Sequence, residues 1–247
     1  MIVVHRIDAL RAGHGRLFVV LGVFDGLHLG HLYMLRELAT AAAARQAQPA
    51  VITFDHHPDE VLAGSAPPLL CDPEERLERL AQAGVALTVV DHFDLKTRMT
   101  PYDAYVRMIA ERVDLAGFLM TPESAFGFER RGTPETVAAL GRELDYEVVV
   151  VPTLELDGHP VRSAEIRSDI ARGDLAAAAA LLGRPYAVVG HGTGRAALRF
   201  AMPVALPEAG TYPVTIDDVA TSVTVAGGRL RIDDGVAREG RTRVVFA

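Results

Sequence analysis

Leu17-Phe18-Val19-Val20-Leu21-Gly22-Val23-Phe24-Asp25-Gly26-Leu27-His28-Leu29-Gly30-His31 is the stretch that decides how this chain is read. Residues 17–24 are a short apolar run, Asp25-Gly26 follows, and a helical pattern then continues to Ala44, so the spacing predicts strand, turn and helix. His28 and His31 stand three apart where that helix begins, which sets both on one face of its first turn. The unsatisfied N–H groups and positive dipole end of such a helix attract phosphate. Gly22, Gly26 and Gly30 let a ligand approach the backbone closely. Two imidazoles in that place can stabilise the charge that develops in phosphoryl or nucleotidyl transfer, while the turn holds attacker and leaving group in line. The bland alternative makes the histidines capping or surface residues; the whole strand-Gly-Phe-Asp-Gly-x-His-x-Gly-His context favours chemistry. A metal site built from His28, His31 and the pair His56-His57 is disfavoured, because a helix N-terminus repels a cation unless carboxylates join it.

Working outward, the same unit recurs. Residues 50–54 read as a strand, Asp72-Pro73-Glu74-Glu75 as a helix start with N-cap, proline at N1 and an acidic N3, and residues 87–90 as the next strand. Thr100-Pro101 opens a helix to about Val113, residues 116–120 are apolar, Thr133-Pro134 opens another helix, and residues 147–151 are β-branched. Alternation of this kind predicts a Rossmann-like α/β domain, a parallel sheet covered on both faces with ligands at the carboxyl ends of its strands. Asp157-Gly158 predicts a hairpin, Ser163 a helix start, Gly173 its end, and Asp174 a second helix to Leu182 that includes the alanine run 176–180. Gly183-Arg184-Pro185 reads as a seam between an α/β domain of residues 1–184 and a small β-barrel-like domain of residues 185–247.

The bulk numbers exclude several classes. A chain of 247 residues holds one or two domains, and 49% hydrophobic with 23% charged residues is ordinary for a globular protein. No segment approaches the apolar length of a membrane span, and the N-terminus has no basic, apolar and cleavable secretory pattern, so a cytoplasmic protein without a membrane partner is expected. Cys71 is the sole cysteine, so no intrachain disulfide or thiolate cage is available and its default role is a small buried one. A net charge of -7 argues against nucleic acid as a partner. Lys96 is the sole lysine, so a phosphate site must use arginine, histidine and backbone N–H groups. Oligomeric state has no signature in the sequence.

Four motifs carry a resemblance. The run from Gly22 to His31, then Thr53-Phe54-Asp55-His56-His57-Pro58, then Phe126-Gly127-Phe128-Glu129-Arg130-Arg131-Gly132, then Ser163-Ala164-Glu165-Ile166-Arg167 with Leu182-Gly183-Arg184-Pro185-Tyr186, resemble in order and spacing the bacterial bifunctional riboflavin kinase/FMN adenylyltransferase (FAD synthetase) family. The resemblance implies transfer of AMP from ATP to the phosphate of FMN, giving FAD and pyrophosphate, with Mg2+ assisting ATP. It implies His28 and His31 as the catalytic pair. Gly22, Val23, Phe24, Asp25, Gly26 and Gly30, with Arg162, Ser163 and Arg167 of a second phosphate motif, would bind the nucleotide. Phe54, His57, Pro58, Glu123, Phe126 and Arg130 would lie on the acceptor side. On the residues alone, Ser163 reads equally well as an N-cap, and Phe54 and Phe126 as core packing.

The departures from the family shape the expectation. Where the family has Ser-Ser-Thr before Ile-Arg, this chain has Arg162-Ser163-Ala164-Glu165, and an arginine there can still grip phosphate. The family's Gly-x-Asp-Phe is Thr121-Pro122-Glu123-Ser124 here, so the acceptor side differs. Arg199-Phe200-Ala201-Met202-Pro203-Val204 replaces the kinase's Gly-Phe-Pro-Thr-Ala-Asn, losing the threonine and asparagine that would serve magnesium-ATP. Gly210-Thr211-Tyr212-Pro213-Val214 still resembles the kinase barrel's next strand, and the chain ends at Ala247 before a segment for the catalytic carboxylate. A reduced barrel without kinase activity is expected, with Gly190-His191-Gly192-Thr193-Gly194 as a hairpin remnant. The leading expectation is an FMN adenylyltransferase. The alternatives are CMP or AMP transfer to another phosphorylated acceptor such as a modified flavin, and a non-catalytic flavin or nucleotide sensor.

Overall fold

The computed structural model describes residues 1–192, 194, 196–233 and 239–247. The N-terminal part realises the alternation as β1 (Ile2–His5), β2 (Arg16–Leu21), α1 (Leu29–Ala43), β3 (Gln48–Phe54), α2 (Asp59–Leu62) and α3 (Pro73–Gln82). It continues through β4 (Leu87–Asp91), α4 (Leu95–Met99), α5 (Tyr102–Ala110), β5 (Asp114–Met120), α6 (Pro134–Leu144) and β6 (Glu147–Val150). Contacts divide the chain into two compact units. The first holds Met1–Phe24, His31–Ala66 and Leu77–Leu154; the second holds Asp25–Gly30, Pro67–Arg76 and Glu155–Ala247.

The first unit is built on a six-stranded parallel sheet in the order β1-β4-β3-β2-β5-β6. The chain steps outward from β2 to β3 and β4, then returns to the far side of β2 for β5, which makes the β2/β5 border a topological switch point. Because such crossovers are right-handed, helices before and after the reversal cover opposite faces. On one face Tyr105, Val106 and Ile109 of α5 and Val137 and Leu140 of α6 pack with Leu17, Val19, Ile52, Val89 and Leu115. The alternate residues Phe18, Val20 and Val51 are equally buried and point to the other face by the period of two. Burying each such side chain stabilises the fold by roughly 1.5–3 kcal/mol.

Helix starts follow the sequence signals. Asp72 Oδ1 accepts from the N–H groups of Glu74 and Glu75 at 3.0 Å, and Thr133 and Thr136 exchange side-chain-to-backbone bonds at the start of α6. Strand β1 was not among the elements expected; it is a four-residue edge strand with a mostly exposed pattern, so no hydrophobic alternation announces it.

The second unit contains the hairpin β7 (Glu155–Leu156) and β8 (His159–Pro160), then α7 (Ser163–Ala171) and α8 (Leu175–Leu182). Strands β9 (Ala187–Gly192), β10 (Leu198–Arg199), β11 (Gly210–Ile216), β12 (Val219–Ala226), β13 (Arg229–Ile232) and β14 (Gly240–Phe246) follow. They form an antiparallel sheet in the order β10-β9-β14-β11-β12-β13. A bridge between Ala197 and Arg231 joins its two edges, giving a nearly closed barrel. Inside, the Tyr186 ring stacks on Phe246 at 5.7 Å and its hydroxyl donates to Ala205 O at 2.6 Å.

The seam expected at residue 184 does not separate these units. Ile166 and Ile170 of α7 and Ala178 and Leu182 of α8 share one hydrophobic cluster with Val188, Val214, Val223 and Val244 of the barrel, so the helices pack with the strands that follow them. Gly183 serves instead as the left-handed C-cap of α8, at φ 70°. Gly190, His191 and Gly192 lie in β9, which pairs antiparallel with β10 as a hairpin with Gly192 opposite Leu198, and Thr193 lies outside the described residues. Among the described residues no helix is long and apolar enough to cross a membrane.

Candidate active site

The first unit opens a cavity of about 580 Å³ where β2, β3 and β5 end, lined at those ends by Leu21, Phe54 and Met120. That is where a parallel sheet leaves room beyond its switch point. Phe54, Phe93, Tyr105, Phe118, Phe126 and Phe128 give it an aromatic wall. Phe54 meets Phe93 edge-on at 5.1 Å, and Phe126 lies 6.2 Å from both Tyr105 and Phe118. Gly22, Val23, His57, Pro58, Arg98, Glu123 and Arg130 add the polar and backbone groups. All six acceptor-side residues expected from the sequence therefore line one cavity, together with Gly22 and Val23.

Local bonds hold its walls. Thr53 Oγ1 donates to Val23 O at 2.9 Å, and Thr121 N–H donates to Ser124 Oγ at 2.8 Å, which closes the turn before Phe126. Tyr105 donates its hydroxyl to Asp91 Oδ2 at 2.9 Å, while Asp91 Oδ1 accepts from Ile7 N–H at 3.1 Å. Burial, then the Asp91 charge, push the Tyr105 hydroxyl well above its ordinary range, so it stays protonated. Gly127 has φ 74°, and a Cβ there would lie 2.6 Å from the Tyr102 backbone, so the loop requires glycine. Glu129 and Arg130 follow at φ 54° and 55°, a left-handed stretch that non-glycine residues adopt at a cost. Phe24 and His31 also belong to this unit, their rings 5.1 Å apart. The sequence-based site omitted Phe93, Arg98, Tyr105 and Phe118. Phe93 stands two residues past the end of β4, a position that the strand-end rule singles out.

The second unit holds the turn of residues 25–30. Asp25 is 2% exposed, and its carboxylate accepts from Leu70 N–H at 2.9 Å, from Cys71 N–H at 3.2 Å and from Arg167 Nη2 at 2.6 Å. Arg167 Nε donates in turn to Pro68 O at 2.8 Å. Asp25 was expected among the nucleotide ligands. Its oxygens accept bonds inside the fold, and it anchors residues 70–71 and α7 to the turn. Gly26 has φ 78°, and a Cβ there would meet Leu70 at 2.9 Å. Cys71 is buried as expected; it accepts from Gly26 N–H at 3.2 Å, and its thiol is pushed up to about 12 by burial and the Asp25 charge.

His28, directly before α1, is 4% exposed. Burial foremost, then the Arg184 and Arg167 charges, lower its pKa to about 4, so the imidazole is neutral near pH 7. Gly30 is packed so closely that a Cβ would lie 3.1 Å from the His28 ring and 3.2 Å from Val161 O. Arg184 Nη2 donates to Gly26 O at 2.6 Å and Nη1 to Leu27 O at 3.3 Å. The sequence-based site left Arg184 out, although it stands inside the fourth motif. Ser163 is the first residue of α7 rather than its N-cap, which is the exposed Arg162; the Ser163 hydroxyl donates to the Asp25 carbonyl at 3.3 Å. The unit thus gathers Asp25, Gly26, His28, Gly30, Arg162, Ser163 and Arg167 of the expected residues.

Comparison with known proteins places this geometry among relatives. The FAD synthetase family model matches residues 11–165. The bifunctional riboflavin kinase/FMN adenylyltransferase of Listeria monocytogenes is 31% identical over 79% of this chain and 66% of its own length. That of Haemophilus influenzae is 28% identical over 70% of this chain and 57% of its own, and that of Bacillus subtilis 28% over 78% and 62%. The chain therefore spans between 57% and 66% of the length of these relatives. The crystal structure of a macrolide-efflux protein from Streptococcus pneumoniae aligns over 100% of this chain and 90% of that chain, with a TM-score of 0.79 and 22% identity, a likeness of fold.

Proposed function

We propose, because the chain belongs to the FAD synthetase family, that it transfers AMP from ATP to the phosphate of FMN and does not phosphorylate riboflavin. An oxygen of the FMN phosphate attacks the α-phosphorus of ATP, the bond to the bridging oxygen breaks, and pyrophosphate leaves as FAD forms. The observation that carries this reading is the aromatic cavity at the strand ends, whose size and aromatic lining suit a ring system and whose Arg98 and Arg130 suit an anion.

His28 and His31 are the proposed catalytic pair, with Gly22, Val23, Phe24, Gly26, Gly30, Arg162 and Ser163 on the nucleotide. A neutral His28 donates a hydrogen bond to a phosphate oxygen, and the negative charge it meets there raises its proton affinity as charge builds on the leaving group. Arg167 and Asp25 act by fixing the turn. Both oxygens of the Asp25 carboxylate are already engaged, so magnesium enters with the substrate as MgATP and no protein ligand is assigned to it. The absence of kinase activity is supported by residues 199–204, which lack threonine and asparagine and whose Phe200 packs against the barrel core. The reading places the reaction among small molecules of the cytoplasm, without nucleic acid or membrane.

One observation favours a second reading. Glu123 brings a carboxylate to the cavity within Thr121-Pro122-Glu123-Ser124, which favours an acceptor other than unmodified FMN. Incubating the chain with MgATP or MgCTP and either FMN, modified flavin phosphates or riboflavin, followed by chromatography, tests both. FAD and pyrophosphate from FMN and ATP are expected, with no product from riboflavin. Failure to form FAD with any divalent metal would refute the first reading, and FMN made from riboflavin would refute the loss of kinase activity.

A further inference from the structure

Outside the residues assigned above, a carboxylate stands between two imidazoles. Strands β3 and β4 pair in register with Phe54 opposite Asp91, and Asp55 N–H donates to Asp91 O at 3.0 Å, so the residues just past both strands are brought together. His92 Nδ1 lies 2.6 Å from Asp55 Oδ2, and His56 Nδ1 lies 3.2 Å from Asp55 Oδ1. The two rings are 6.0 Å apart and nearly perpendicular. One ligand atom from each of the three residues lies within 4.8 Å of the others.

We propose that Asp55, His56 and His92 bind one divalent transition cation of the zinc class. Two neutral imidazoles and a carboxylate are a donor set that zinc, cobalt and nickel accept, at roughly 2.0–2.2 Å from each donor. Donors around such an ion stand about 3.3–3.5 Å apart, so small side-chain rotations would close the set. The ion would take the place of the ring protons that now face the Asp55 oxygens. Backbone bonds hold the frame. His56 N–H donates to Asp55 Oδ1 at 2.8 Å, and Thr97 Oγ1 donates to His92 O at 2.8 Å. The side chains of Asp55, His92 and His56 remain 34%, 42% and 47% exposed, so ions have access and a fourth position is left for water or a ligand oxygen. Magnesium prefers all-oxygen shells, so this ion differs from the magnesium carried by ATP. The inference does not depend on the adenylyl-transfer reading.

The test uses the full chain without a histidine tag, titrated with Co2+ in the absence of nucleotide and flavin, with visible ligand-field absorption as the signal and Zn2+ equilibrium dialysis alongside. One ion per chain is expected. Asp55→Asn, His92→Ala and the exposed-site change His56→Gln should each weaken binding at least about tenfold. His159→Ala, on the β7/β8 hairpin, should leave it unchanged. His56→Gln alters an exposed ring, so it keeps the test decisive if Asp55→Asn fails to fold. No stoichiometric binding, or binding that survives both His56→Gln and His92→Ala, or binding lost only in His28→Ala, would overturn the proposal.

Discussion

At the scale of single residues, His28 is held neutral by burial first and by Arg184 and Arg167 after that, with its pKa near 4. Between pH 4 and 6.5 the unfolded chain therefore holds a proton on this ring that the folded chain lacks. Stability should fall as the pH is lowered through that window, by up to about 3 kcal/mol from this group. Urea unfolding at pH 7 and pH 4.5 measures it; His28→Gln should lose that part of the slope, and an unchanged slope would refute the assignment. The Asp25–Arg167 pair gives a second prediction. Arg167→Ala strands a carboxylate that is 2% exposed, so it should cost about 3–5 kcal/mol in denaturant unfolding. A loss under about 1 kcal/mol would show that the pair is dispensable. The sequence singled out these residues but not the partners that hold them in the fold. Asp25 meets Leu70 45 positions away and Arg167 142 positions away, and no local pattern encodes such partners.

At the scale of elements, much was legible because each signal is local. The period of two along β2 and β3, the N-caps Asp72 and Thr133 and the turn Asp157-Gly158 all act within a few residues. Strand β1, with only Val4 buried, has no such pattern. The cavity loops were legible in part. Phe54 and Phe126 were named from motifs, whereas Tyr105 reaches the cavity from α5 because Asp91 and the packing of that helix hold it there. The Gly127 loop is open to test. Gly127→Ala would place a methyl 2.6 Å from the Tyr102 backbone at φ 74°, so residues 126–130 must move. The KM for FMN should rise about tenfold, equivalent to about 1.4 kcal/mol, while the KM for ATP changes little. Equal rises in both would refute an acceptor role for this loop.

At the scale of the whole molecule, composition and alternation predicted a Rossmann-like sheet followed by a small barrel, and both are present. The compact units divide elsewhere than at Gly183-Arg184-Pro185, which looks like a linker in sequence, because the apolar faces that tie α7 and α8 to the barrel become evident only in three dimensions. A fragment of residues 1–184 would leave Ile166, Ile170, Ala178 and Leu182 without the barrel side of their cluster. It should aggregate or lose cooperative unfolding in circular dichroism; a soluble, cooperatively folded fragment would contradict the division seen here. The proposed function has this chain join AMP to FMN by way of the histidine turn. Its most direct test is a single-turnover reaction of the chain with FMN and ATP labelled at the α-phosphorus. The label should appear in FAD with the unaltered chain and fall at least about 100-fold in rate for a folded His28→Ala variant. Label that stays in ATP with the unaltered chain, or passes into FAD at an undiminished rate in the variant, would contradict the account.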